Sequence, residues 1–199
     1  ERSRGLGDVY KRQAVGIVLL LFAFVPQFGA EGVWVSVFTA ISAFCNAGFD
    51  LFGRFGDYSS LVPYVNNYYV QAVIMFMIMA GGLGFMVWVE LAEYRKKRRL
   101  SLHAKVVLQF SVIFWVGGAV LLALLEWSNP RTMGGLSVPG KIMAALFQSV
   151  STRTAGMNTI DLAACSPISK LLMSVLQFIG AAPGSTGGGV KVTTFAVLI

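Results

Sequence analysis

The sequence predicts an all-α integral membrane protein built from repeated units. Each unit is a transmembrane helix, a short helix that re-enters from one face, and a second transmembrane helix. Three observations lead there. Of 199 residues, 56% are hydrophobic and 13% charged, whereas a soluble domain carries about twice that charge fraction. Such a chain cannot be coated with polar groups, so its solvent is lipid. Two apolar runs, 70–89 and 106–125, each have the helical length of about 20 residues needed to cross the hydrocarbon core. Finally, one order of elements occurs twice: a short apolar segment, a polar glycine-containing turn, and a longer apolar segment.

Charge orients the spans. The net charge is +7, and Arg95, Lys96, Lys97, Arg98, Arg99 and Lys105 gather between the two long runs. Basic residues in a short loop beside membrane spans stay on the cytoplasmic side. The loop 95–105 is therefore expected inside, with 70–89 running inward and 106–125 outward. The same residues can touch anionic lipid. A nucleic-acid partner is not expected, because no polar domain carries the basic cluster. Cys45 and Cys165 lack metal or disulfide spacing, and His103 stands alone, so packed thiols and an interfacial imidazole are expected. The spans hold no nucleophile–base pair and no metal cluster, so no enzyme is predicted.

The remaining elements follow in order. An apolar stretch at 14–25 is about half a span. It reads as a truncated helix, with 1–13 foreign to the fold or disordered. A basic stretch before a short apolar one also imitates a signal peptide, but multispanning sequence follows without a cleavage site. Both ends read as cut: the chain has no initiator Met and stops inside an apolar run. Beyond 106–125, the segment 126–141 is expected outside, with turns at Asn129-Pro130 and Gly134-Gly135. Residues 142–150 are apolar but too short to cross. A polar stretch, 151–159, follows, and then a helix from 168 whose start suits Pro167. A short helix that begins outside must dip in and return. The earlier half repeats this with a short helix at 33–43, a polar terminus at 44–50 and the span 70–89. Displacement by 108 positions brings Ala47-Gly48-Phe49-Asp50 onto Ala155-Gly156-Met157-Asn158. The chain thus divides into units 14–94 and 106–199, joined by the loop 95–105. Internal repeats are common in transport folds.

Non-helical backbone at membrane depth is tolerated only inside protein or along a water-filled path. Such backbone offers carbonyls, which can replace the water shell of a potassium ion. The C-terminus of a short helix pointing inward favours a cation through its dipole. Gly48 and Gly156 allow the required turns. A second glycine-rich stretch, 180–189, breaks the last helix, and Ser185 and Thr186 offer polar atoms toward a cavity. Gly184 and Gly189 have P-loop spacing, but Val190 stands where the lysine belongs and no strand precedes them. Gly81-Gly82-Leu83-Gly84, inside the span 70–89, reads as a close-packing surface, with a second hinge as the less favoured alternative.

Phe-Cys-Asn-Ala-Gly-Phe at 44–49, Ser-Thr-Arg-Thr-Ala-Gly-Met-Asn-Thr at 151–159 and Gly-Ala-Ala-Pro-Gly-Ser-Thr-Gly-Gly-Gly-Val-Lys-Val-Thr-Thr-Phe at 180–195 resemble the Ktr/Trk/HKT superfamily of potassium transporters. The resemblance covers 14–199 and is closest to the bacterial KtrB-type membrane subunit. It implies four helix–pore helix–helix repeats around one pore, of which this chain holds most of the second and third. The pore helices would be 33–43 and 142–150, and the filters 45–49 and 152–157. Asn46, Ala47, Gly48, Thr154, Ala155 and Gly156 would contact potassium. Cys45, Phe49, Arg153 and Met157 would support the filter, with Phe49 and Met157 packed behind it and Arg153 as a tether. Gly180, Ala181, Ala182, Pro183, Gly184, Ser185, Thr186, Gly187, Gly188 and Gly189, within the intramembrane loop 180–190 of the broken helix 168–199, would form a gate. Asp50 and Asp161, just outside the filters, would raise local cation concentration or serve as solvated loop carboxylates. No covalently bound cofactor is implied; potassium is the transported ion, and sodium a coupling or activating ion. The resemblance further implies a homodimer in the bacterial inner membrane, with a cytoplasmic nucleotide-binding ring as partner. The competing reading is a truncated membrane component that does not transport, or an assembly partner of a larger complex.

Overall fold

The computed structural model describes residues 2–56 and 59–198, and every regular element among them is helical. Helix α1 is Arg2–Phe28, α2 is Glu31–Phe44, α3 is Tyr68–Gly82 and α4 is Phe85–Lys97. Helix α5 is Leu102–Glu126, α6 is Val138–Ser151, α7 is Pro167–Phe178 and α8 is Val192–Leu198. Two short 3-10 turns, Phe52–Phe55 and Val62–Tyr64, lie between α2 and α3. Within α1, Val9–Phe28 is long and apolar enough to cross a membrane, as is the whole of α5.

Start signals in the sequence place the helix ends. Asn67 caps α3 by accepting from the Val70 amide at 3.1 Å. Ser101, Ser137 and Ser166 cap α5, α6 and α7 in the same way. Each cap satisfies one of the amides that a helix N-terminus leaves unpaired.

Three expectations need correction. Residues 2–13 do not stand apart but continue α1; Glu1 lies outside the described residues. Asp8 to Gln13 contains neither glycine nor proline, so the helix propagates through it, and Arg12 rests over the Trp88 ring at 4.2 Å. The loop 95–105 is mostly helical, leaving a four-residue turn at 98–101 between α4 and α5. The Glu90 carboxylate holds this turn by accepting from the Ser101 amide and hydroxyl at 2.8 and 2.7 Å. Finally, the span 70–89 is not one helix. It breaks between α3 and α4 with a bend of 99°.

The main core lies between α1, α2, α3 and α6, where Leu20, Phe24, Ala40, Ile74, Met77 and Phe147 are fully buried. Phe24, Phe52 and Tyr64 form an aromatic group at one end, with ring centroids 5.2–5.6 Å apart. A smaller cluster joins Leu122, Met133, Ala144 and Met173. A third joins Val87, Ala104 and Val107 to Ala182. Phe22, Ile113, Leu124 and Phe178 are exposed, as suits side chains whose solvent is hydrocarbon. The two short helices, α2 and α6, end against this core and deliver the segments described next.

Candidate functional site

Each short helix of 14 residues runs into a turn of the same backbone shape. After α2, Asn46 and Gly48 have φ of +50° and +75°; after α6, Thr154 and Gly156 have φ of +70° and +81°. The left-handed residues thus alternate with Ala47 and Ala155, at positions 108 apart. Left-handed backbone costs an ordinary residue about 1–2 kcal/mol. Asparagine tolerates it, but β-branched threonine does not, so Thr154 is held there by its surroundings. Its Oγ1 accepts from the Gly188 amide at 2.9 Å.

These turns are neither helix nor sheet, so their carbonyls lack a ladder. Among the described residues no donor reaches the carbonyls of Asn46, Ala47, Gly48, Thr154, Ala155 or Gly156. The two turns meet. A Cβ on Gly48 would lie 2.9 Å from the Ala155 oxygen and 3.0 Å from Gly156 Cα, and one on Gly156 would lie 3.0 Å from Gly48 Cα. Only residues without a side chain allow this approach.

Serines near the ends of α2 and α6 brace both turns. Ser42 Oγ donates to the Phe49 carbonyl at 2.6 Å, and Ser151 Oγ donates to the Met157 carbonyl. Neither serine was singled out by sequence; the 108-residue displacement, extended one turn upstream, pairs Ser42 with Val150 and misses Ser151 by one position. Ala155 and Met157 are buried. Phe49 is 69% exposed and does not pack behind its turn; the expectation that it would is corrected. Its neighbour Phe52 fills the pocket between Phe24 and Tyr64 instead. Cys45 is half-buried and accepts from Gln13 Nε2 at 3.8 Å. Asp50 and Asp161 accept from the amides of Phe52 and Ala163 at 2.9 and 2.8 Å. Both are local turn caps.

Arg153 turns away from the carbonyls. It is 5% exposed, its Nη2 donates to the Gly180 carbonyl at 2.7 Å, and its guanidinium lies over Phe114 and Trp115 at 5.6 and 5.8 Å. Arg153 therefore ties the second turn to the glycine-rich loop between α7 and α8. That loop closes on itself through Gly180 N–H to Val190 O at 3.0 Å and Ala181 N–H to Gly188 O at 3.2 Å. Lys191 Nζ adds a bond to the Gly187 carbonyl at 2.6 Å.

The break between α3 and α4 is where this loop docks. Ending α3 at Gly82 frees the carbonyls of Gly81 and Gly82, which accept from the amides of Thr186 and Ala182 at 3.3 and 3.1 Å. The Phe85 amide, at the start of α4, donates to the Gly184 carbonyl at 3.2 Å. Gly84 has φ +82°, and a Cβ there would lie 2.6 Å from the Pro183 oxygen. Thr186 completes the junction: its Oγ1 donates to the Phe44 carbonyl at 2.9 Å and accepts from Asn46 Nδ2 at 3.0 Å. The loop thus touches both glycine turns, one through Thr186 and the other through Gly188 and Gly180. A cavity of about 500 Å³ flanks the second turn, lined by Ser151, Thr154, Gly156, Lys170 and Gln177.

A further polar centre escaped the sequence reading. The Glu126 carboxylate is fully buried and accepts from Thr132 Oγ1, Asn129 Nδ2, the Ser166 amide and Ser169 Oγ at 2.6–2.8 Å. It knots the end of α5 to the start of α7. An acidic residue closing an apolar run just before Asn-Pro was the available signal. No group of His, Cys, Asp and Glu able to hold a metal occurs among the described residues.

Residues 11–199 match the family model of TrkH, a cation transport protein. The chain belongs to the TrkH family. Within it, the chain is 42% identical over 188 residues to the Ktr system potassium uptake protein B of Vibrio alginolyticus, covering 93% of this chain and 40% of that protein. It is 39% identical to the potassium/sodium uptake protein NtpJ of Enterococcus hirae, covering 94% and 40%. The crystal structure of the potassium transporter TrkH from Vibrio parahaemolyticus superposes with a TM-score of 0.68 at 23% identity, over 91% of this chain and 37% of that one. This TrkH-family chain therefore spans about two fifths of the length of the curated relatives it matches, and it shares the transporter fold.

Proposed function

We propose that the two glycine turns form adjacent walls of a potassium-selective filter, and that the chain contributes to potassium uptake across the bacterial inner membrane. One observation carries the reading. Two turns with the same alternating backbone, 108 positions apart, leave their carbonyls unpaired at the ends of two short helices and meet at Gly48 and Gly156. Carbonyl oxygens held by a folded scaffold replace the hydration shell of a monovalent cation, and the helix C-termini add negative dipole potential there. On this reading Asn46, Ala47, Gly48, Thr154, Ala155 and Gly156 contact the ion, and α2 and α6 are the re-entrant pore helices.

The loop 180–190 acts as the gate beneath the filter, docked on the helix break at Gly81–Gly84. In the intact protein the chain belongs to a homodimeric subunit whose cytoplasmic face, near 95–105, meets a nucleotide-binding ring. Sodium is the coupling or activating ion; the name of the Enterococcus hirae relative joins both cations.

Reconstituting the intact protein in liposomes tests this. Potassium uptake is expected to exceed sodium uptake, and deleting 182–188 is expected to raise potassium flux. Equal uptake of the two ions would sink the filter. Flux at or below the parent level after the deletion, with normal expression, would sink the gate.

A further inference from the structure

We propose that one ordered water molecule is a fixed component of the wall between the two glycine turns, held by Asn46 Oδ1 and Arg153 Nε. Both atoms are buried and neither has a hydrogen-bond partner among the described residues. Both residues line one small cavity, with Ile78, Gly82, Trp115, Val150 and Ala181 as its other walls. The cavity offers about 10 Å³. A single water needs roughly 10–15 Å³ of such space, so one molecule fits, whereas a second water or a hydrated cation does not. The adjoining guanidinium also repels any cation.

The hydrogen-bond pattern fixes which atoms of these two residues are left unpaired. Thr186 Oγ1 spends its one proton on the Phe44 carbonyl at 2.9 Å. It can then only accept from Asn46, so the nitrogen of the Asn46 amide points to Thr186, at 3.0 Å, and the oxygen is the buried atom left unpaired. Arg153 uses Nη2 on the Gly180 carbonyl, and its Nε–H is buried without a partner among the described residues. Two residues that line the cavity thus carry a buried unpaired group, one an acceptor and the other a donor. Water satisfies both at once, donating to Asn46 and accepting from Arg153. A metal ion would meet an N–H, and an anion would meet an amide oxygen.

This water closes a circuit. Asn46 and Arg153 flank different turns, and each also holds the glycine-rich loop, one through Thr186 and the other through Gly180. With the water in place, first turn, loop and second turn form one hydrogen-bonded ring. Displacing the loop at either contact changes the support of both turns. The side chains of Asn46 and Arg153 then act as positioning groups coupled through solvent; the consequence for ion selection rests on the filter reading above, but the water site does not.

The test is a high-resolution structure of the intact transporter in potassium, with ion selectivity measured on the same preparation. A solvent peak about 2.7–3.2 Å from both atoms is expected. Arg153→Lys keeps the charge and can still reach Gly180 but has no Nε–H, so the peak is expected to vanish and the potassium-to-sodium ratio to fall about fivefold to tenfold. An unfilled cavity in the parent, or direct contact between Arg153 Nε and Asn46 Oδ1, overturns the water site. If the peak is present but the parent does not prefer potassium, the filter reading fails and the water site stands. If the parent prefers potassium and the peak is absent, the water site alone fails.

Discussion

Replacing Gly48 or Gly156 by serine gives the sharpest view of how the two turns depend on each other. Each glycine sits at φ near +80° (+75° and +81°), where a side chain costs about 1–2 kcal/mol. Each new Cβ would also lie 2.9–3.0 Å from the backbone of the opposite turn. Backbone cannot swing aside as a flexible side chain can, so one turn must move by a few tenths of an ångström. Ion preference is a difference between two binding free energies, and losing about 1.4 kcal/mol of that difference lowers the ratio tenfold. Each single variant of the intact protein is therefore expected to lose about tenfold in potassium-over-sodium uptake in a liposome flux assay. The double variant is expected to lose less than the product of the singles, because one widening of the gap relieves both contacts. Unchanged ratios in both singles would refute the role of these carbonyls in selection. Losses that simply multiply would refute the contact between the turns.

Thr186→Val keeps the shape but leaves the Phe44 carbonyl and the Asn46 amide unpaired, a loss of about 1–3 kcal/mol; hydrogen exchange of the Gly187 and Gly188 amides should accelerate, and unchanged exchange would show that Thr186 does not hold the loop. Glu126→Gln removes the charge that four donors solvate and is expected to cost about 2 kcal/mol, lowering Tm by roughly 4–8 °C; an unaltered Tm would show that the knot contributes nothing. Burial, reinforced by Glu126, pushes the Cys165 thiol up to about 11 from an ordinary 9.0. Between those values the unfolded chain releases this proton while the folded chain keeps it, so stability should fall as pH rises from 9 to 11. Cys165→Ala should flatten that slope, and an identical slope in the variant would exclude the thiol as its source.

Membrane class, both short helices and the two glycine turns were legible because each leaves a mark in composition or spacing. Pro167 located the start of α7, whereas α5 and α6 begin four residues before the apolar runs that marked them. The helix break at Leu83–Gly84 was not legible as a break, since 72–89 is an unbroken apolar and glycine run and a glycine in a helix costs only about 1 kcal/mol. What decides it is the partner: the loop around Pro183 and Gly184 lies about 100 positions away and supplies the amides and carbonyl that replace the lost helical bonds. Ser42 and Ser151 were missed for a related reason, because a serine in an apolar helix acquires meaning only from the carbonyl opposite it. Phe49 was misplaced because spacing alone does not show which side of a turn an aromatic ring takes: Phe49 is exposed, while Phe52, three positions on, packs between Phe24 and Tyr64.

The same kind of hydrogen bonds constrains how the loop between α7 and α8 can move. It is held by Thr186 and Ala182 on Gly81 and Gly82, by Gly184 on Phe85, by Gly188 on Thr154, and by Gly180 on Arg153. If the released groups stayed dry, each would cost about 1–3 kcal/mol, and no modest stimulus would displace the loop. If water replaces each partner, the net cost drops to about 0.5–1.5 kcal/mol per bond, and several can be broken together. Movement of this loop is therefore inseparable from wetting of the space it leaves, and the freed carbonyls of Gly81 and Gly82 would line that wet space. On the gate reading, the helix break that holds the loop in place would also supply polar groups to the space the loop leaves.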